Sequence, residues 1–334
     1  MYNLLKPYGD DKERAALDGL VRFMTLEETE RERRERELND KLRVCDILQA
    51  DVDITVDDAM LRKAPNLKAI FCTSIGVDYV DVEAAAARGV IVANNPDFCV
   101  RAVAEFAIGL IYALLRRIPE GAEAVKAEDW AMRDVLRGVQ LHGKTLGIVG
   151  FGKIARDVVR QALGVGMSVL VRVRGTGGEG KEKIIREAGA EPVSFQELLR
   201  RSDILSLHTP LTDETRLLIG REELAAMKEK AYLINVSRGG VVDEQALADS
   251  LRAGKLAGAA TDVLASEPPE RCGPLTAYAG KNLIITPHIA WYTEEAEREC
   301  FDYYIRQVTD FVAGRIPEGI LNKPASHYWA SGSV

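Results

Sequence analysis

Residues 145–156 read TLGIVGFGKIAR, and this stretch decides the fold. It begins as a short apolar run typical of a buried β-strand, turns through glycines and continues with helical spacing of apolar residues. A strand, turn and helix in this order are the context in which a G-x-G-x-x-G/A pattern predicts dinucleotide binding. Gly150 allows the tight turn, Gly152 lets the backbone approach a pyrophosphate, and Ala155 is small enough for close helix–strand packing. The alternative is an ordinary glycine turn in an unrelated α/β unit.

Length, charge and cysteine content restrict the class of protein. The chain has 334 residues, enough for two domains that each bury a core. Its net charge of -7 argues against nucleic-acid binding, which needs a basic stripe. The five cysteines are scattered without a C-x-x-C pair, so we expect free thiols, a cytoplasmic location and no metal site. No signal-peptide pattern begins the chain, and its longest apolar run, near 102–115, is too short to span a membrane.

A second candidate site precedes the glycine-rich stretch. Residues 44–93 alternate between strand-like and helix-like patterns, which predicts a small parallel sheet. Ser74, Ile75 and Gly76 follow one of its strands, at the edge where parallel sheets bind ligands. Their N–H groups are placed to form a nest for a carboxylate. A simple helix-entry loop capped by Asp81 is the alternative.

The residues after the next strand bear on the choice of dinucleotide. Position 173 lies about twenty residues beyond Gly152, where an NAD-binding protein carries an acid for the ribose hydroxyls. Here the residue is Val173, and it stands between Arg172 and Arg174. Because an arginine suits a 2′-phosphate, the sequence favours NADP, with NAD still open. The alternative is that both arginines are solvent-facing ends of the strand.

Three polar residues follow later strands of the predicted sheet. Arg238, Glu267 and His288 all lie at carboxyl ends of strands, which share one edge of a parallel sheet. A base, a carboxylate and a cation beside a nicotinamide form a hydride-transfer site. His288 would donate and accept the proton, Glu267 would hold its other ring nitrogen, and Arg238 would bind a substrate carboxylate and polarise the carbonyl. The alternative for His288 is a structural histidine.

Several motifs together indicate a family. They are SIGVD at 74–78, GFGKIA at 150–155, HTPLTDET at 208–215, NVSRGGVVDE at 235–244 and TPHIA at 286–290. With these motifs the chain resembles the D-isomer-specific 2-hydroxyacid dehydrogenases over nearly its whole length from about residue 44. The charged segment 27–37 has no match and is expected to form a solvated helix. No role is predicted for residues 1–43 or for the tail 326–334.

The resemblance implies a fold, an activity and an assembly. The fold is α/β with two doubly wound parallel-sheet domains. A Rossmann nucleotide-binding domain at 103–291 is inserted into a flavodoxin-like substrate domain made of 1–102 and 292–334. The activity is the NAD(P)-dependent interconversion of a 2-keto acid and a D-2-hydroxy acid, with Arg238, Glu267 and His288 as the catalytic residues. The assembly is a homodimer built mainly on the nucleotide-binding domains.

The resemblance also implies a set of binding residues. The substrate would contact Ser74, Ile75, Gly76, Arg238, His288 and Trp291. By the resemblance the cofactor would contact Gly150, Phe151, Gly152, Lys153, Ile154, His208, Thr209, Pro210, Thr215, Val236, Ser237, Arg238, Asp262, His288 and Ala290. The argument about position 173 adds Arg172 and Arg174 to these cofactor contacts.

The C-terminal third resembles one branch more closely. The segments SEP at 266–268, HIAWYTE at 288–294 and GRIP at 314–317 look like the C-terminal binding proteins, dehydrogenase-fold corepressors in which the residue at Trp291 lines the pocket. This likeness leaves open a second function, an NAD(H)-sensing binding module with little catalysis. A short-form phosphoglycerate dehydrogenase is also open, whereas Glu267 argues against the formate-oxidising branch, which carries glutamine there.

Overall fold

The computed structural model describes residues 1–7, 11–51, 54–172, 178–269 and 272–322. The chain separates into two units: the first takes Met1–Phe98 and the described chain from Thr293 onward, and the second takes Cys99–Tyr292. The predicted boundaries lie within a few residues of these. The assignment of one unit to the substrate and the other to the cofactor stays a prediction.

Helices and strands alternate along the chain. In chain order the described residues form β1 (Tyr2–Lys6), α1 (Asp11–Ala16), β2 (Val21–Thr25), α2 (Arg31–Leu42), β3 (Ile47–Ala50), α3 (Asp58–Arg62), β4 (Ala69–Cys72), α4 (Val82–Ala87), β5 (Ile91–Ala93), α5 (Val100–Leu115), α6 (Ile118–Lys126), a 3-10 helix (Trp130–Asp134), β6 (Thr145–Val149), α7 (Lys153–Gly164), β7 (Ser168–Arg172), α8 (Gly178–Glu187), β8 (Glu191–Val193), α9 (Phe195–Arg201), β9 (Ile204–Leu207), α10 (Arg221–Ala226), β10 (Tyr232–Asn235), a 3-10 helix (Gly239–Val241), α11 (Glu244–Arg252), β11 (Gly258–Thr261), β12 (Leu283–Ile285) and α12 (Glu294–Val312).

The first unit contains a five-stranded sheet. Its order is β2-β1-β3-β4-β5 and every neighbouring pair is parallel, which is the flavodoxin-like arrangement. Its central strands are buried on both faces, which explains their continuous apolar sequence. One face carries Phe71, whose ring packs edge-on against Tyr304 and Phe311 of α12. Helix α12 therefore completes a core begun by the N-terminal strands.

The second unit contains a seven-stranded sheet. Its order is β12-β11-β10-β9-β6-β7-β8, again all parallel, which is the Rossmann order with one added strand. Strand β6 and helix α7 are the strand and helix of the glycine-rich stretch, and Ala155 is fully buried between them and their neighbours. The predicted fold class, two doubly wound parallel sheets, is confirmed.

The charged helix of the first unit begins later than predicted. The carboxylate of Glu37 accepts hydrogen bonds from the N–H groups of Glu27 at 2.9 Å and Glu28 at 3.0 Å. Because these contacts hold residues 27–28 outside the helix, α2 begins at Arg31 rather than near residue 27. None of the helices in the described ranges combines the length and apolar character needed to cross a membrane.

Candidate active site

The glycine-rich turn has the geometry that a pyrophosphate needs. Gly150 has a φ of 96°, and a Cβ there would lie 2.3 Å from the carbonyl oxygen of His208. Gly152 is the N-cap of α7 with ordinary backbone angles, and a Cβ there would meet nothing within 4 Å. The first turn of α7 carries Lys153 and Ile154. The space beside Gly152 therefore fits a phosphate group at a helix N-terminus.

A cavity of about 280 Å³ opens beside this turn. Its walls include five predicted cofactor residues, namely Gly150, Phe151, Arg172, Thr209 and Thr215. They also include three charged residues that sequence reasoning missed, Arg156, Lys181 and Glu214. The missed residues lie on a helix or loop whose direction the sequence alone does not fix. The cavity thus carries a net positive lining, which suits a phosphorylated nucleotide.

Arg172 does not simply point into solvent. Its guanidinium lies 4.3 Å from the ring centroid of Phe195, and the residue is half-buried. A cation over an aromatic face is attracted to it, so the side chain is held at the wall of the cavity. The other two residues of the cofactor argument, Val173 and Arg174, lie outside the described residues.

The loop after β9 is shaped by Thr215. Its hydroxyl donates to the carbonyl oxygen of Pro210 at 2.6 Å and accepts the N–H of Thr212 at 2.7 Å. Thr215 is buried, so these bonds fix the turn that carries Thr209 to the cavity. His208 begins this loop, and its Nε2 lies 2.8 Å from the Ser206 hydroxyl. Although part of the residue reaches the surface, burial of the ring lowers the pKa of His208 to about 4, so the ring is neutral at pH 7.

We expect His208 to make the cofactor-free protein less stable as the pH falls from 7 to 5. The unfolded chain binds a proton with the ordinary pKa of 6.5, whereas the folded chain binds it only near 4, so acidification favours unfolding across this interval. The contribution reaches about 2 kcal/mol at pH 5. Urea unfolding at both pH values should show a smaller drop in His208→Gln than in the wild type. The same substitution at the exposed His142 is the control. Equal drops in all three proteins would contradict this prediction.

The turn after β10 positions Arg238. The Asn235 side chain accepts the N–H of Ser237 at 3.0 Å and its hydroxyl at 2.8 Å, and donates to the carbonyl oxygen of Arg238 at 3.0 Å. The preceding Val236 is buried. A Cβ on Gly239 would lie 1.9 Å from the carbonyl carbon of Leu264, so this turn packs directly on the segment that leads to Glu267. The guanidinium of Arg238 donates to the carbonyl oxygen of Ser237 at 2.9 Å.

Glu267 and His288 form a hydrogen-bonded pair. Nδ1 of His288 lies 2.6 Å from Oε2 of Glu267, and Oε1 accepts the N–H of Leu264 at 2.7 Å. Burial alone would raise the pKa of Glu267, but these hydrogen bonds and the positive charges of His288 and Arg238 lower it below its ordinary value. The ionised carboxylate therefore keeps a proton on Nδ1. Nε2 makes no hydrogen bond within the described part of the chain, and the two side chains are 28% and 33% exposed, so a substrate can reach them.

Asp262 holds the backbone around His288. Its buried carboxylate accepts the hydroxyl of Thr286 at 2.6 Å and the N–H groups of Ile289 at 3.0 Å and Ala290 at 2.8 Å. Burial raises the pKa of Asp262 against these contacts. The held loop places His288 at a φ of 54°, a left-handed conformation that costs free energy and is common at functional sites. Both oxygens of Asp262 are occupied by the loop, a role that sequence reasoning missed. Its contact with the cofactor stays a prediction.

Two aromatic residues follow the histidine loop. The rings of Trp291 and Tyr292 pack edge-on with centroids 5.0 Å apart, and Tyr292 is exposed. The contact of Trp291 with the substrate stays a prediction.

In the first unit, the 74–76 loop has the helix cap expected of a helix-entry loop, and its binding of a carboxylate stays a prediction. Asp81 caps α4 by accepting the N–H of Ala84 at 2.8 Å, as expected of a helix-entry loop. The N–H groups of Ser74, Ile75 and Gly76 have no acceptor among the described residues. They are therefore available to an anion. Across the described ranges, no group of three or more His, Cys, Asp or Glu side chains is placed to hold a metal ion.

Comparison with known proteins places the chain in a family. The family model described as D-isomer specific 2-hydroxyacid dehydrogenase, NAD binding domain, matches residues 108–290. A glyoxylate reductase of Thermococcus litoralis is 39% identical over 292 residues, covering 86% of each chain. The crystal structure of a D-lactate dehydrogenase from Aquifex aeolicus, complexed with NAD and lactic acid, superposes with a TM-score of 0.85 at 28% identity, covering 97% of this chain and 100% of that one. The chain belongs to the D-isomer-specific 2-hydroxyacid dehydrogenase family. It is thus an oxidoreductase with a nicotinamide-dinucleotide-binding domain.

A further relative carries the name of a different activity. A D-3-phosphoglycerate dehydrogenase of Methanocaldococcus jannaschii is 38% identical over 289 residues, a match that spans 86% of this chain but only 54% of the relative. The closer likeness of the C-terminal third to C-terminal binding proteins stays a prediction.

Proposed function

We propose that the protein interconverts a 2-keto acid and a D-2-hydroxy acid by hydride transfer. The observation that carries the proposal is the 2.6 Å contact between His288 and Glu267, which leaves Nε2 of the ring available as an acid and base. It stands in a unit whose glycine turn fits a dinucleotide. When bound, the nicotinamide supplies or accepts the hydride.

The chain's own residues handle the proton and the substrate charge. In reduction, Nε2 of His288 donates its proton to the carbonyl oxygen, and in oxidation the neutral ring takes the hydroxyl proton. Glu267 is ionised and stabilises the imidazolium form of the ring. Arg238 binds the substrate carboxylate in a fork and polarises the carbonyl. The N–H groups of residues 74–76 also bind the carboxylate.

We propose that the cofactor is NADP rather than NAD. The support is the cavity beside Gly150, which is lined by Arg156, Arg172 and Lys181, together with the absence of an acid at position 173. A charge-assisted contact with the 2′-phosphate contributes about 1.5–3 kcal/mol, or roughly ten- to a hundredfold in affinity. The NAD-bound neighbour keeps NAD as the alternative.

One panel of 2-keto acids tests both proposals. Glyoxylate, pyruvate, phenylpyruvate and 3-phosphohydroxypyruvate are each assayed with NADH and with NADPH. We expect turnover of at least one acid and a kcat/KM at least tenfold higher with NADPH. Preference for the phosphorylated acid would indicate a phosphoglycerate dehydrogenase. Equal use of the two cofactors would overturn the NADP proposal alone, and no turnover with either would overturn the proposed activity.

We propose that the protein forms a homodimer through the second unit. Helix α6 has no buried residue, and large apolar side chains are exposed on it and on the 3-10 helix that packs against it. The most prominent is Trp130, which is 71% exposed. A second copy of the chain would cover this patch. We expect sedimentation velocity of the purified protein to show a dimer, and a monomer would contradict the proposal.

A further inference from the structure

We propose that Asn94 and Tyr79 are positioning residues for the substrate carboxylate. Asn94 binds the carbonyl group of Ile75 and so sets the direction of the Gly76 N–H in the same peptide, and Tyr79 holds the side chain of Ser74, the first residue of the loop. The inference rests on the proposed function, because it concerns the carboxylate that this loop is proposed to bind.

Successive carbonyl groups of the loop are each bound by a donor from the same unit. The contacts are Cys300 Sγ to the oxygen of Thr73 at 3.4 Å, the Asn95 N–H to the oxygen of Ser74 at 3.3 Å, Asn94 Nδ2 to the oxygen of Ile75 at 2.7 Å and the Ser74 hydroxyl to the oxygen of Gly76 at 2.7 Å. A trans peptide is planar, so the carbonyl of one residue and the N–H of the next point in opposite directions. Anchoring the carbonyls of 73, 74 and 75 therefore sets the direction of the N–H groups of Ser74, Ile75 and Gly76.

Asn94 makes the shortest of the contacts that reach the carbonyl groups of the loop from elsewhere in the unit. Its own N–H donates to the oxygen of Gly319 at 3.0 Å, and its carbonyl accepts Nε2 of Gln307 at 3.0 Å. The residue is 7% exposed. Because its backbone is held on both sides, the side-chain amide has a fixed place from which to hold Ile75. Losing a buried donor leaves the Ile75 carbonyl unsatisfied and lets its peptide rotate.

Tyr79 acts on the loop through the side chain of Ser74, whose hydroxyl also bonds the carbonyl oxygen of Gly76. The Ser74 hydroxyl has one proton, which it donates to the oxygen of Gly76, so the Tyr79 hydroxyl 2.7 Å away must donate to Ser74 Oγ. Burial raises the pKa of Tyr79 well above its ordinary value, so this donor keeps its proton throughout the working pH range. The hydroxyl also lies 3.3 Å from the oxygen of Ala50 at the end of β3. Tyr79 thus restrains the side chain of Ser74 at the start of the loop.

The test compares the same substitution at two buried asparagines. Asn94→Asp removes the donor to Ile75 and places a negative charge under the nest. Asn322→Asp is the matched control, because Asn322 is 8% exposed and bonds the backbone of Val90 at 2.9 Å and Val92 at 2.9 Å without reaching the loop. We expect Asn94→Asp to raise the KM of the 2-keto acid that the wild type turns over best by at least tenfold. Its dissociation constant for NADPH, which we assign to the other unit, should stay within twofold.

A second, milder variant and a ligand that cannot be reduced extend the test. Tyr79→Phe retains the ring and should raise the KM by roughly three- to tenfold, so it decides the question if Asn94→Asp does not fold. Oxamate, a carboxylate that cannot be reduced, reports binding without turnover through its shift of the melting temperature. The inference is overturned if folded Asn94→Asp or Tyr79→Phe keeps a wild-type KM and oxamate response, or if Asn322→Asp changes them equally. A wild-type protein that binds oxamate but reduces no keto acid counts against the proposed function alone.

Discussion

Replacing His288 by alanine is expected to lower kcat by a factor on the order of hundreds or more, because the variant loses the group that we propose moves the proton at Nε2. The glycine-rich turn, which we expect to hold the pyrophosphate, lies elsewhere on the sheet edge, so the dissociation constants of NADH and NADPH should change little. Steady-state kinetics with the best keto acid and fluorescence titration of the cofactor measure the two quantities separately.

Two further variants separate loss of the acid from damage to the loop. His288 has a left-handed backbone conformation, which asparagine tolerates better than most residues. His288→Asn should therefore be as inactive as the alanine variant while keeping the loop in place. His142→Ala removes an exposed histidine and should leave kcat unchanged. A kcat within tenfold of wild type in both His288 variants would rule out His288 as the acid.

The two glycines of the turn should respond to alanine in opposite ways. At Gly150 the added Cβ would collide with the backbone of His208, and the φ of 96° is unfavourable for alanine. Gly150→Ala should lower the free energy of unfolding of the cofactor-free protein by about 3 kcal/mol or more. At Gly152 the Cβ meets nothing, so Gly152→Ala should leave that free energy unchanged. It should instead weaken dinucleotide binding by at least tenfold, because the methyl group occupies the space expected for the pyrophosphate.

Each glycine variant serves as the control for the other. Urea unfolding without cofactor reports the first effect, and fluorescence titration with NADPH reports the second. If Gly152→Ala binds both dinucleotides as tightly as wild type, the pyrophosphate does not lie beside this residue. If Gly150→Ala unfolds at the wild-type urea concentration, the turn does not need its left-handed glycine.

Strand-end residues were predictable because sheet topology follows from pattern. When apolar strands alternate with helices, right-handed crossovers make the strands parallel and place their carboxyl ends at one edge of the sheet. Arg238, Glu267 and His288 follow such strands and were therefore expected in one unit. Contacts between near neighbours in sequence were also predictable, and the Asp81 cap of α4 is an example.

The contacts that Asp262 and Asn94 make were not predictable because they join residues far apart in the chain. Asp262 and Ala290 are 28 positions apart, and Asn94 and Ile75 are 19 apart. Neither pair forms a motif, and a buried asparagine looks the same in sequence as one at a surface turn. The left-handed conformation of His288 likewise depends on the loop that Asp262 holds. The residues Asn94, Asn95 and Pro96 follow strand β5, and in sequence this tripeptide indicates only a turn.

The contribution of α12 to the first sheet sets an order of events during synthesis on the ribosome. The face of that sheet around Phe71 is covered by Tyr304 and Phe311, which are translated after the entire second unit. The second unit is continuous in sequence, so it can fold as soon as it leaves the ribosome. The first unit cannot complete its fold until α12 has been made, and until then one apolar face of its sheet stays uncovered. Strand β5 also lacks a partner until late in synthesis, because Ala93 pairs with Ile320 near the end of the described chain. The N-terminal part of this chain is therefore made first and completed last.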